Sequence, residues 1–412
     1  MQHNRSFIIN FRHLDWKLIA VALLLTLIGV VLIYSAHHYS ASEFKQGYYL
    51  RQLVWLCVSL TVVSVLVNVP LRAFDAGAYL FYGVAIVLLA LVFVIGSTRL
   101  GATRWFVLGP LSVSPSDIAK LALLLALARF FAYARGDALA PKKFVLSAFM
   151  VMAPVVLILK QPDLGTSLVF VALLIGIWFW SGLSLAYLGL IVSPALSLVA
   201  SADTLAWALY FVALLALIFF TRPGIVFGSG VVLVNLICGI ITPFVWNGLQ
   251  NYQKMRILTF LDPGQDPLGA GYQIIQSRIS IGSGGLTGKG FLGSTQSRLE
   301  FLPERHTDFI FSVLGEEFGL LGALVVLGLF FYLLFRLIKI ALRCRSRFAG
   351  FVVFGAATII AFQMFVNIGM TIGVTPVTGL PLPFLSYGGT SLVFNWTLIA
   401  LALIADYSWQ EY

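Results

Sequence analysis

What most constrains this chain is a succession of long apolar runs. A helix needs about twenty apolar residues to cross the hydrocarbon core of a bilayer. Such runs recur at 17–36, 50–68, 77–96, 117–134, 144–160, 165–181, 184–200, 204–221, 224–245, 309–338, 349–374 and 388–407. In lipid every backbone N–H and C=O must be satisfied internally, so runs of this length are helices. The sequence predicts an all-α integral membrane protein, a polytopic helical bundle of about twelve transmembrane helices, with residues 1–412 forming a single membrane domain. The composition, 60% hydrophobic and 10% charged, lies outside the range of soluble domains.

The formal net charge of +10 raises the question of nucleic acid. No basic run is interleaved with stacking aromatics, and the Lys and Arg residues bracket the apolar runs, so nucleic acid is excluded and topology accounts for the charge. Cys57, Cys238 and Cys344 lie far apart, which supports neither a disulfide framework nor a zinc site. Arg5, Arg12 and Lys17 precede the first run, which reads as an uncleaved signal anchor.

With the N-terminus inside, the cytoplasmic side collects Arg72, Arg129, Arg135, Lys142, Lys143, Arg222, Arg336, Lys339, Arg343, Arg345 and Arg347. The positive-inside rule then places both termini in the cytoplasm and residues 246–308 in one large extracytoplasmic loop.

Polar residues interrupt the apolar pattern in a few places, all on the predicted outer side. In "SPSDIAK", Ser114 or Ser116 can cap a helix, and Asp117 can offset its dipole from the first turn. Lys120 shares a helix face with Asp117, so an ion pair facing a cavity is the alternative to a plain cap. "QPDLGTS", with Gln161 and Asp163, has the composition of a turn. "TPVTGLPLPFLSYGGTS" is Gly- and Pro-rich, and irregular backbone at membrane depth survives only where protein or water covers it. "GSGGLTGKG" departs from the P-loop pattern at Ser283 and Gly290; it is expected to be a flexible outer loop, with "YQIIQSRISI" before it as a short interfacial helix presenting Ile275 and Ile279. Gln363 and Asn367, four apart in a late run, can glue helices together.

The strongest signal is "FLPERHTDFIFSVLGEEFG". A charge at membrane depth costs roughly 2.5 kcal/mol or more, so Arg305, Asp308, Glu316 and Glu317 mark a functional site. With a helix starting near Thr307, Asp308 falls in its first turn, and Ser312 and Glu316 follow at four-residue intervals on nearly the same face. Dipole compensation by Asp308 is the structural alternative.

At these residues the chain resembles the SEDS family (shape, elongation, division and sporulation). "RWFVLG", "SPSDIAK", "QPDLGTS", "LDPGQDPLGAGY", "GSGGLTGKGFLGSTQSRLEFLPERHTDF" and "LPLPFLSYGG" stand in family order from about residue 97 onward. Arg305 and Gln161 place it with the elongation branch; the division branch usually carries Ala and Glu there. The resemblance implies an inverting peptidoglycan glycosyltransferase of the bacterial inner membrane. It would polymerise lipid II, the undecaprenyl-diphosphate disaccharide-pentapeptide, at the periplasmic face during cell elongation and rod-shape maintenance. It would work with a class B penicillin-binding transpeptidase and other membrane proteins of the elongation complex. Asp308 matches the family's essential aspartate, as general base or as ligand of a divalent cation such as Mg or Mn. Arg305, Lys120 and Arg104 are the candidate diphosphate ligands, with Asp117, Glu316, Asp163 and Gln161 beside them as substrate-binding residues.

Asp117 stands where the family usually has Glu. The family usually has ten spans, so two helices within 184–245 are expected to be additions. A lipid II flippase, or a non-catalytic scaffold for the transpeptidase, would draw on the same composition. A flippase needs a polar path through the midplane, whereas these polar groups cluster toward one side.

Overall fold

A computed structural model describes residues 14–39, 46–99, 102–108, 111–134, 141–201, 203–248, 254–255, 258–260, 262–267, 269, 271–299 and 301–410. Each expected apolar run coincides with a helix. In chain order these are α1 (Trp16–His37), α2 (Tyr48–Val67), α3 (Leu71–Ile95), α4 (Pro115–Tyr133), α5 (Pro141–Lys160), α6 (Leu164–Trp180), α7 (Leu185–Ala200), α8 (Thr204–Thr221) and α9 (Ile225–Gly248). After the short α10 (Tyr272–Gly284) come α11 (Ile310–Arg343), α12 (Arg347–Ile372) and α13 (Gly389–Gln410). Among the described residues nine helices are long and apolar enough to cross a membrane, α6 and α7 being shorter apolar helices. The molecule is a multi-pass membrane protein.

The architecture has a small β component that the apolar pattern does not announce. Between α3 and α4, β1 (Ser97–Arg99), β2 (Ala102–Leu108) and β3 (Leu111–Val113) form an antiparallel sheet in the order β1-β2-β3. Phe106 pairs with Val113 and Leu108 with Leu111.

The centre of the bundle is α12, which packs against α4, α6, α10, α11 and α13. Its small residues allow this close approach: a methyl built on Gly355 would lie 2.3 Å from Leu124 Cδ1 of α4. At the other extreme, α7, α8 and α9 form a satellite with its own small core of Leu190, Leu214 and Val231. Ion pairs staple the helix ends. Asp15 caps α1 by accepting from the Leu18 N–H at 3.2 Å and pairs with Arg336 near the far end of α11.

The decisive local feature is a break in α11. Gly319 has φ 61° and ψ −158°, a conformation that only glycine adopts without strain, so the helix stops and restarts there. The freed backbone groups are met by the glycine-rich segment that follows α10. Lys289 and Gly290 donate their N–H groups to the carbonyls of Glu316 and Glu317, both at 2.9 Å. In return, Leu320 and Leu321 donate to the carbonyls of Gly285 at 2.9 Å and Leu286 at 3.1 Å. Residues 284–290 are therefore a seated strap and not the flexible loop the composition suggests. α10 lies in the bundle against α11 and α12, burying Ile274, Ser277, Ser280 and Gly284 while Ile279 faces outward.

Candidate functional site

The site forms where "LPERHTDF" turns into α11. The helix starts at Ile310 and not near Thr307, because Phe309 (φ −110°, ψ 24°) is its N-cap. Asp308 thus precedes the helix, in a turn held by the Glu304 carbonyl, which accepts from the N–H groups of Thr307, Asp308 and Phe309 at 3.1–3.3 Å. Glu304 makes this turn at φ 51°, an unusual conformation for a residue with a side chain. Dipole stabilisation acts within the first helical turn, so it reaches Asp308 less directly than the expected helix start implies.

The Pro- and Gly-rich stretch 375–388 wraps this turn. Ser386 donates its hydroxyl to the Thr307 carbonyl at 2.6 Å, and Tyr387 donates its N–H to the His306 carbonyl at 2.8 Å. Asn367 of α12 donates to the carbonyls of Asp308 at 2.9 Å and Leu380 at 2.7 Å, fixing the wrap to the turn. Gly379 (φ 73°) lies against the aspartate: a methyl built on it would sit 3.5 Å from Asp308 Oδ2. "QPDLGTS" meets the other side of the wrap, since a methyl on Gly165 would sit 2.5 Å from the Thr378 carbonyl oxygen. The stretches carrying Asp163, Gly379 and Asp308 therefore converge.

The remaining sequence-predicted residues have distinct surroundings. Arg305 is buried, with Nη2 3.4 Å from Nδ1 of the buried His37 on α1. His306 stacks on Tyr48 at a centroid distance of 4.7 Å, and Tyr48 stacks in turn on Tyr387. Lys120 and Asp117 form an ion pair at 2.7 Å, and the Lys120 ammonium also lies 4.6 Å from the Phe394 ring centroid. Asp163 caps α6, accepting from the Thr166 N–H at 3.1 Å and hydroxyl at 3.0 Å. Gln161 donates to the Leu89 carbonyl at 3.2 Å, tying the segment to α3. Arg104 lies on β2, and its side chain falls outside the described residues.

Glu316 does not face the same surroundings as Asp308. Its carboxylate is fully buried and accepts from Lys289, Ser280, Ser294 and Thr295, so it belongs to the strap. Ser312 likewise turns to α10, 2.6 Å from the Ser277 hydroxyl. Glu317 accepts from Ser35 of α1.

Sequence reasoning missed Gln52 as a site residue. Fully buried on α2, it bonds the Ser386 carbonyl at 3.2 Å and the Gly388 N–H at 3.3 Å. Its signal was an amide early in an apolar run. Among the described residues no three His, Cys, Asp or Glu side chains gather into a group able to hold a metal. A cation such as Mg²⁺ that is shared with substrate phosphates takes only one or two carboxylates and needs no such group, so Asp308 stays a candidate ligand, and no chemical step is derived through a cation.

The model of the FtsW/RodA/SpoVE cell cycle protein family matches residues 15–411. The chain belongs to the SEDS family. SEDS relatives agree over nearly its whole length. It is 38% identical to the peptidoglycan glycosyltransferase MrdB of Escherichia coli K12 over 383 residues, covering 92% of this chain and 90% of that one. A chain from a peptidoglycan synthase complex, described as coordinating polymerization and crosslinking, superposes with a TM-score of 0.71 at 34% identity, covering 97% and 99% of the two chains. The rod shape determining protein RodA of Thermus thermophilus superposes with a TM-score of 0.63 at 29% identity, covering 96% and 98%.

Proposed function

We propose that this SEDS protein is a peptidoglycan glycosyltransferase that polymerises lipid II into glycan strands during cell elongation, with Asp308 as general base. The observation that carries the reading is the enclosure of Asp308. α12 and the 375–388 wrap hold its turn, Asn367, Ser386 and Tyr387 fixing the backbone from outside, and Gly165 backs the wrap. A general base contributes through its placement as much as through its basicity.

In the reaction, the acceptor sugar hydroxyl gives its proton to an Asp308 carboxylate oxygen as the hydroxyl oxygen attacks the anomeric carbon of the polyprenyl-linked sugar. The bond from that carbon to the diphosphate oxygen breaks, and undecaprenyl diphosphate departs with the bonding electrons. Attack on the face opposite the leaving group inverts the anomeric centre. Arg305 is the diphosphate ligand nearest in sequence to the base, and a buried guanidinium stabilises departing negative charge more strongly than one in water. Lys120 and Arg104 are further candidates, and Asp117 holds Lys120 in place. Asp163 shapes the wall by capping α6.

Asp308→Asn keeps the shape and removes the base. Purified Asp308→Asn protein incubated with lipid II and a class B penicillin-binding transpeptidase is expected to make glycan polymer at least about a hundredfold more slowly than wild type. Polymer at the wild-type rate from folded, partner-bound protein refutes the assignment and favours a flippase or scaffold.

We place this protein in the bacterial inner membrane, with both termini cytoplasmic and Asp308 facing the periplasm. Leu299 and Arg345 are exposed at positions that this orientation puts on opposite sides. In a background lacking the native cysteines, an impermeant thiol reagent applied to spheroplasts should label Leu299→Cys and not Arg345→Cys. The reverse pattern overturns the orientation.

A further inference from the structure

We infer that Glu316 is a positioning residue that clamps the strap and thereby sets the turn bearing Arg305 and Asp308. This deepens the reading of Asp308 as the base and rests on it.

The clamp is a nearly saturated carboxylate in a fully buried place. Oε1 accepts from Lys289 Nζ at 2.7 Å, the Thr295 N–H at 2.9 Å and the Thr295 hydroxyl at 2.8 Å. Oε2 accepts from the Ser280 hydroxyl at 3.0 Å and from the Ser294 hydroxyl. Carboxylate oxygens have about four lone-pair sites in all, so little acceptor capacity is left for a substrate. The donors come from α10 and from residues 289–295, while the carboxylate is on α11. One side chain therefore fastens three consecutive pieces of the chain.

The fastening closes a ring. Thr295 and Glu316 are 21 residues apart, and the turn of Glu304 to Asp308 lies between them. The neighbouring backbone repeats the closure, Lys289 and Gly290 donating to the carbonyls of Glu316 and Glu317. Steric fit leaves no slack: a methyl on Gly284 would lie 1.9 Å from the Gly315 carbonyl oxygen, and one on Gly288 2.1 Å from that of Glu317. Ser280 also donates to the Ser312 carbonyl at 3.1 Å, one turn nearer the aspartate. Replacing the Glu316 carboxylate by an amide takes the counter-charge from Lys289 and turns one of the two acceptor oxygens into an NH2 donor, so the clamp weakens, the ring loosens at its base and the turn loses its fixed aim. A displacement of about 1 Å in a reacting group can cost about a hundredfold in rate.

The test pairs turnover with the state of the strap, using full-length protein, lipid II and the transpeptidase partner. Glu316→Gln is expected to lower the turnover number about ten- to a hundredfold while the apparent KM for lipid II changes by less than about twofold. Lys289→Gln should give a smaller loss. The double variant should be no worse than Glu316→Gln alone, because clamped groups act as one unit. Trypsin should cut at Lys289 or Arg298 faster in Glu316→Gln than in wild type or Asp308→Asn. Thr295→Val, which keeps the charge and the fold, should lower turnover slightly and accelerate cleavage slightly. A raised KM with wild-type cleavage would make Glu316 a substrate ligand and overturn the clamp. So would fully additive losses, or wild-type turnover in Glu316→Gln while Asp308→Asn is inactive. If Asp308→Asn itself retains activity, the reading of the base fails, and the cleavage pattern still decides whether the strap is clamped.

Discussion

The region around Asp308 and the satellite of α7, α8 and α9 are both built from apolar, glycine-containing sequence at membrane depth, yet they use their polar groups and glycines in opposite ways. In the satellite, polar side chains join whole helices. Asn235 donates to the Ser193 hydroxyl at 2.8 Å and accepts from Tyr210 at 2.8 Å, and Ser197 joins Trp207 to the Asn235 carbonyl. Gly224 and Gly230 have open space beside them. In the Asp308 region, polar side chains and glycines instead serve irregular backbone, and Gly165, Gly284 and Gly288 face carbonyl oxygens at distances that exclude any side chain. Burial follows the same division: 72% of the α12 span is buried and 6% of the α8 span. Polar groups that glue helices leave the helices intact, whereas polar groups that replace broken backbone bonds make a place for chemistry.

Substitutions can break or sharpen this contrast. The largest effect is expected for Gly288→Ala. At φ 79°, with its new methyl 2.1 Å from the Glu317 carbonyl oxygen, the strap cannot stay seated. A cost of about 3 kcal/mol or more predicts at least about a hundredfold loss of polymerisation, and wild-type activity would refute the seat. Next is Lys120→Ala, which strands Asp117. Breaking a fully buried pair costs about 3–5 kcal/mol; Asp117 is 14% exposed, which trims the loss below that of Gly288→Ala, and Lys120→Arg, which keeps the charge, should retain more activity in the same glycan assay. Equal activity of Lys120→Ala and wild type would remove "SPSDIAK" from the site.

In the satellite, Asn235→Leu removes two interhelical hydrogen bonds and should cost only about 1.2 kcal/mol, at the average of about 0.6 kcal/mol for each such bond in a membrane. Thermal unfolding in detergent should shift slightly while polymerisation stays within about twofold of wild type. A large loss of activity would mean that the satellite communicates with Asp308. Gly230→Ala should do least, since nothing lies within 4 Å of the added methyl and alanine is the better helix former by about 1 kcal/mol. A clear drop in either assay would break the contrast from the satellite's side.

Much of the fold was legible because a bilayer imposes one length rule on every helix. α8 coincides with the expected 204–221 run, and Asp117 and Lys120 pair as their spacing on one helix face suggests. The site was legible as to which residues matter and less so as to what they touch. "GEEFGLLG" reads as uninterrupted helix, since a glycine that breaks a helix and one that packs inside it look alike in sequence. The partners of Glu316 come from 20 to 36 residues upstream, in a segment whose glycines carry no periodicity. The sheet between α3 and α4 was hidden for the same reason: strands as short as β1 and β3 give too few alternations to register.

The break at Gly319 also resolves a mismatch of length. An unbroken helix over 310–343 would be about 51 Å long, against a hydrocarbon core of about 30 Å. Divided at Gly319, the same sequence gives a rod over 320–343 of about 36 Å, long enough to span with modest tilt. The remaining stub over 310–318 is freed from the rod's direction. It can lie at whatever angle the interface requires, so the tilt of the anchor and the aim of the reacting group can be adjusted independently.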